Sequence, residues 1–136
     1  MQDVVSLPHV GKVPRSRLLI VDDDEGMREN LAELFESLGY AVRTAANTSD
    51  ALAVLDEAEV DLLLTDYKMP GPTGVELIEE ARKRQPRLRA ILMTAFGDRF
   101  TEMESAHRGA AGYLNKPFEA DEVVAFGEKV LTMREG

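Results

Sequence analysis

The chain has 136 residues, 44% of them hydrophobic, which suits a single domain with a core of ordinary size. Its formal charge of −9 disfavours sequence-independent nucleic-acid binding and docking on anionic membranes, because nothing would replace the phosphate counterions. With no cysteine, disulfides and thiolate metal sites are excluded; no apolar stretch reaches membrane-spanning length, and the N-terminus lacks the basic start and apolar core of a signal peptide. A cytoplasmic location is expected.

Residues 1–16 read as a flexible leader, because Pro8, Gly11 and Pro14 interrupt any regular pattern. Residues 17–133 alternate strand and helix, and 134–136 form a tail or the start of a linker. The first strand is Leu18 to Val21. The first helix runs from Glu25 to Leu38, with Met27, Leu31, Leu34 and Leu38 spaced to face a core and Gly39 as its stop. A second strand spans Tyr40 to Thr44. Thr48 or Ser49 is expected to cap the second helix, which carries Leu52 and Leu55 inward. The third strand, Asp61 to Thr65, leads through the loop Asp66 to Gly74 into a helix from Val75 to Arg84 that ends before Pro86.

A fourth strand covers Ala90 to Met93, and a short helix from Asp98 to His107 is stopped by Gly109. The fifth strand, Gly112 to Leu114, has the weakest pattern of the set. The last helix spans Ala120 to Thr132, with Val123, Val130 and Leu131 as core residues. Gly127 inside it costs about 1 kcal/mol relative to Ala, which points to close packing there. Five strand–helix pairs imply an α/β fold: a doubly wound, five-stranded parallel sheet with five helices on its two faces.

The C-terminal ends of such strands open onto one rim, where ligands and chemistry sit. The apolar run Leu18 to Val21 ends in Asp22 and Asp23, and the run Leu62 to Leu64 leads to Asp66. Three carboxylates gathered at one rim repel unless a cation sits among them, and hard oxygen ligands suit Mg²⁺. Asp24 reads either as part of that rim or as the N-cap of the next helix. Strand four adds the hydroxyl of Thr94, followed by Ala95, and strand five adds Lys116, with Pro117 fixing the chain behind it.

As a set, Val-Asp-Asp at 21–23, Asp-Tyr-Lys-Met-Pro-Gly-Pro-Thr-Gly at 66–74, Met-Thr-Ala at 93–95 and Tyr-Leu-Asn-Lys-Pro-Phe at 113–118 resemble the response-regulator receiver domain of two-component signalling. The resemblance runs from Arg17 to about Met133. It implies the flavodoxin-like receiver fold with strand order 2-1-3-4-5. It implies that Asp66 is the phosphoacceptor, and that Asp22 and Asp23 hold Mg²⁺ with Asp23 the direct ligand. Asp66 itself and the backbone carbonyl of Lys68 complete the metal set. Thr94 and Lys116 would bind phosphoryl oxygens, Tyr113 would be the aromatic switch residue, and Lys116-Pro117 would be cis. The role implied is regulatory rather than enzymatic, with help only to its own phosphorylation and dephosphorylation.

The chemistry of these residue types fits those roles. Three carboxylates, one divalent ion and one ammonium sum to about zero, and an acyl phosphate then adds roughly one negative charge. That charge would draw Thr94 and its loop inward, and Tyr113 would fill the space left, a two-state element biased by a covalent ligand. The partners implied are a histidine kinase and an output domain or downstream protein, with a phosphorylation-dependent homodimer also allowed. Output would run through helix four, strand five and helix five. The stretch Gly109-Ala110-Ala111-Gly112-Tyr113 departs from the Gly-Ala-Asp of many winged-helix regulators, which weakens the case for their charged dimer interface. Lys68 and Phe96 stand at the variable positions that tune phosphoryl lifetime in the family. With Gly136 the last residue here, the output is expected from a protein partner or a domain outside this sequence.

Three other readings compete. An aspartate-nucleophile phosphohydrolase would use the Asp-x-Asp in Asp22-Asp23-Asp24, but such enzymes usually carry Thr or Val where this chain has Gly26, and need a cap. A pseudo-receiver would have the fold without phosphorylation, against five intact site positions. A flavodoxin-like cofactor binder would need a phosphate-cradling loop where Asp-Asp-Asp-Glu would repel phosphate.

Overall fold

The computed structural model describes residues 16–95 and 97–133. The expected leader, apart from Ser16, the tail at 134–136 and Phe96 lie outside the described residues. Ten elements alternate along the chain: β1 (Arg17–Val21), α1 (Glu25–Ser37), β2 (Ala41–Ala45), α2 (Thr48–Glu57), β3 (Leu62–Asp66), α3 (Gly74–Arg84), β4 (Arg89–Thr94), α4 (Arg99–His107), β5 (Gly112–Asn115) and α5 (Ala120–Leu131). All strand pairs are parallel, in the order β2-β1-β3-β4-β5, so the expected flavodoxin-like receiver arrangement is present.

Strand alternation splits the core in two. Leu19, Val21, Leu63, Ala90 and Leu92 point to one face, where Ala51 and Leu55 of α2 and Val75, Leu77, Ile78 and Ala81 of α3 cover them. Leu18, Ile20, Leu62, Leu64, Ile91, Met93 and Leu114 point to the other, under Leu31 and Phe35 of α1 and Val123 and Val130 of α5. The central strands are buried on both faces, which is why β1 and β3 read as unbroken apolar runs. The short β5 is secured by its register with β4, from Ile91 opposite Gly112 to Thr94 opposite Asn115. Gly127 is buried on α5, but a Cβ there would meet Leu62 Cδ2 at 3.4 Å, an ordinary contact, so the packing is not so close that it demands glycine.

Two local expectations need correction. Leu38 does not face the core: it is the C-cap of α1 and 38% exposed, and Phe35 is the buried residue instead. The reason is the helix end itself. Tyr40 N–H donates to the Phe35 carbonyl and Gly39 N–H to that of Glu36, a Schellman closure that Gly39 permits at φ 95°. The chain thus turns Tyr40 inward, edge-on to Phe35 with ring centroids 5.4 Å apart. The cap of α2 is neither Thr48 nor Ser49 but Asn47, whose side-chain oxygen accepts the Asp50 N–H at 2.8 Å. Thr48 instead donates its hydroxyl to the Pro72 carbonyl at 3.0 Å, tying α2 to the loop after β3.

Candidate functional site

The five expected site positions meet at the carboxyl ends of β1, β3, β4 and β5. Backbone bonds extend the ladders past the strand ends: Asp22 N–H to Ala45 O, Tyr67 N–H to Met93 O and Lys116 N–H to Thr94 O. These fix the peptides that carry Asp22, Asp66 and Lys116. Carboxylate oxygens of Asp22, Asp23 and Asp66 all lie within 4.8 Å of one another. Asp22 is fully buried, with Oδ1 accepting the Asp24 N–H at 2.9 Å and Oδ2 accepting Lys116 Nζ at 2.8 Å. Asp23 is exposed. Asp66 Oδ1 accepts the Tyr67 N–H at 3.0 Å and stands 3.4 Å from Lys116 Nζ. Asp24 is the N-cap of α1, accepting the Met27 N–H at 3.3 Å, so of its two readings the capping one is realised.

A cleft of about 490 Å³ opens at these groups, lined by Asp23, Asp66, Lys68, Met69, Thr94 and Lys116. A larger hollow of about 750 Å³ lies at the opposite ends of the strands. Its lining mixes both signs, with Arg17 paired to Glu59 and Asp61 and Arg84 to Asp56.

The electrostatics single out the cleft. Burial raises the Asp66 pKa above its ordinary value; the Lys116 ammonium opposes the rise and the Asp22 carboxylate adds to it. Burial works against the Lys116 ammonium, but its hydrogen bond to Asp22 and the charges of Asp22 and Asp66 outweigh that, and its pKa stands above the ordinary one. One ammonium among three carboxylates leaves the group negative. The donor set is all hard oxygen and fits a divalent cation such as Mg²⁺.

A family model described as response regulator receiver domain matches residues 18–126. The chain belongs to that family. Receiver domains are the phosphorylation-dependent signalling modules of two-component systems. Among curated relatives, the DNA-binding transcriptional regulator NtrC of Azospirillum brasilense is 38% identical over 84% of this chain and 24% of its own length. Sporulation initiation phosphotransferase F of Bacillus subtilis (strain 168) is 36% identical over 87% of this chain and 95% of its own. The chain thus spans about a quarter of the NtrC relative and nearly all of the phosphotransferase. Among solved structures, a CheY-like response regulator receiver domain protein from Methanospirillum hungatei JF-1 superposes with a TM-score of 0.82 at 31% identity, covering 85% of this chain and 93% of that one.

Within this receiver domain the Lys116-Pro117 peptide is cis, and Tyr113 sits on β5 beside Leu92. Thr94 is buried at the end of β4. Two residues that shape the site, and one beside it, escaped the sequence reading. Arg28 on α1 donates from Nη1 to the Asp22 carbonyl at 2.8 Å, clamping the peptide between the acidic pair; only its place six residues on, one helical turn into α1, could have flagged it. Gly74 packs so closely on the Asp66 backbone that a Cβ there would run into the Asp66 carbonyl and lie 2.9 Å from Leu92 Cδ1. Its position closing the motif from Asp66 was the available signal. Gly97 lies against Tyr113, and its sequence surroundings carry no mark of that.

Proposed function

We propose that this receiver domain is a switch driven by phosphorylation of Asp66, with a histidine kinase or a small phosphodonor as the source. The observation that carries the reading is the meeting of three carboxylates within 4.8 Å around a lysine that reaches both Asp22 and Asp66. A carboxylate oxygen of Asp66 attacks phosphorus as the bond from phosphorus to the donor's imidazole nitrogen or acyl oxygen breaks, and the donor leaves with that electron pair. Asp22, Asp23, Asp66 and the Lys68 backbone carbonyl would hold Mg²⁺, with Asp23, the exposed carboxylate, as the direct ligand. When bound, the ion offsets charge on the acceptor and on the incoming phosphoryl oxygens.

Lys116, which reaches both Asp22 and Asp66, passes from Asp22 toward a phosphoryl oxygen on Asp66, keeping an anionic partner throughout. Thr94, at the end of β4, supplies its hydroxyl to another oxygen, and Tyr113 follows. The changed surface comprises α4, β5 and α5, read by an attached output domain, a partner protein or a second copy of the domain.

The test is mass spectrometry after incubation with acetyl phosphate and Mg²⁺. One phosphoryl group should add, labile to hydroxylamine as an acyl phosphate is. Asp66→Asn should abolish the gain, whereas Asp56→Asn, on the exposed face of α2, should keep it. A modification that persists in Asp66→Asn and resists hydroxylamine would sink the mechanism.

A further inference from the structure

Tyr113 packs its ring against the core face shared with α2 and α3, and its hydroxyl is sealed from solvent with no hydrogen-bond partner among the described residues. A buried tyrosyl hydroxyl normally finds one. The backbone of Gly97 runs directly over it. A Cβ on Gly97 would overlap the tyrosyl oxygen and lie 2.7 Å from Asn115 Oδ1 and 2.8 Å from Tyr113 Cζ. Those last two distances are already too short for any carbon. Gly97 does not have a left-handed backbone, so conformation does not demand glycine there. Space does.

We propose that Gly97 is the positioning residue for Tyr113: its missing side chain is what lets the ring lie inward, and any larger residue drives the ring out. An expelled ring has somewhere to go, because a hollow of about 280 Å³ between α4 and α5 already borders Tyr113, beside Ser105 and Phe126. Two features oppose each other at this point. The room left by Gly97 admits the inward ring, while the orphaned hydroxyl penalises it. Burial, with the charges of Asp98 and Glu102, keeps the phenol neutral, so it remains a donor in search of an acceptor. Opposed terms of this kind leave a small free-energy gap, and a small gap is what a modest signal can invert. The consequence for signalling rests on the proposed role of Tyr113 as the residue that follows Thr94: the residue at 97 then sets how far the ring can respond.

The test uses tyrosine labelled with carbon-13 and a soluble paramagnetic probe. In the parent protein the Tyr113 ring signal, assigned by its loss in Tyr113→Phe, should be partly protected from broadening, less than the buried Tyr40. In Gly97→Ala it should lose that protection. A Tyr113 signal that stays protected in Gly97→Ala overturns the proposal. Thermal melting gives the second reading. Gly97→Ala should lower the melting temperature further when Tyr113 is present than in a Tyr113→Ala background, where only the Asn115 contact and the change in chain entropy remain; equal shifts in both also overturn it. With acetyl phosphate and Mg²⁺, Gly97→Ala should gain its phosphoryl group as the parent does, yet show no movement of the Tyr113 signal. If the parent gains no phosphoryl group, the receiver mechanism fails, while the protection and melting comparisons still judge Gly97.

Discussion

Helices α3 and α4 follow the two strands that carry Asp66 and Thr94, yet they are held in different ways. α3 buries Gly74, Val75, Leu77, Ile78 and Ala81, and opens with a reciprocal capping box in which Thr73 and Glu76 satisfy each other's backbone N–H. α4 buries only the hydroxyl residues Thr101 and Ser105 and places no described residue in either apolar core cluster. Phe100 and Met103 point outward, 74% and 64% exposed. An element with little buried apolar area opens at low free-energy cost. The helix after Asp66 is therefore anchored, and the helix after Thr94 is free to adjust.

The largest effect expected from that contrast is on global stability. Ile78→Ala on α3 removes a fully buried side chain and should cost about 2–5 kcal/mol in chemical denaturation. Met103→Ala on α4 should change stability by no more than about 0.5 kcal/mol. Comparable losses at the two positions would mean that α4 is packed as firmly as α3 in solution.

Mg²⁺ addresses the same contrast from the site. The ion would relieve repulsion among residues on β1 and β3, so it should stabilise the fold by about 1.4 kcal/mol at ten times its dissociation constant. For a domain of this size that is about 5 °C in melting temperature. Asp23→Ala should abolish the shift, and amide exchange within α4 should stay as fast with the ion as without it. A slowing of α4 exchange equal to that of α3 would show the ion acting on both regions.

The same contrast explains what could be read from sequence. Elements buried on both sides announce themselves: the apolar runs ending at Val21 and Leu64, and the carboxylates that follow them, locate β1, β3 and the acidic rim without any structure. Where the outcome depends on three-dimensional closure, the pattern misleads. Leu38 has helical spacing for the core, but the turn at Gly39 gives the place to Phe35 and Tyr40. Thr48 looks like a cap, but Asn47 lies one residue earlier in an extended conformation and takes the role. The Gly97–Tyr113 contact joins residues on different elements, and nothing periodic connects them.

The smallest expected effect concerns the pair that joins the two helices. Arg108, the C-cap of α4, donates to Glu79 of α3 at 2.8 Å and to Glu104 of its own helix at 3.3 Å. The Arg108 hydrogen bond and charge hold the Glu79 carboxyl below its ordinary value of 4.5. Because the folded pKa is depressed, the tether contributes above that ordinary value and is lost as pH falls through the lower folded one. Both side chains are solvent-accessible, so the contribution is small and falls further with salt. Acidification through that range should therefore speed amide exchange, corrected for the intrinsic rate, in the last turn of α4 before α3 responds. Glu79→Gln should produce the faster α4 exchange at neutral pH and flatten its acid dependence. If both helices lost protection together, they would form one cooperative unit. If α4 alone responds, its C-terminal end is pinned by Arg108, and its freedom lies at the Phe100 end, next to Tyr113.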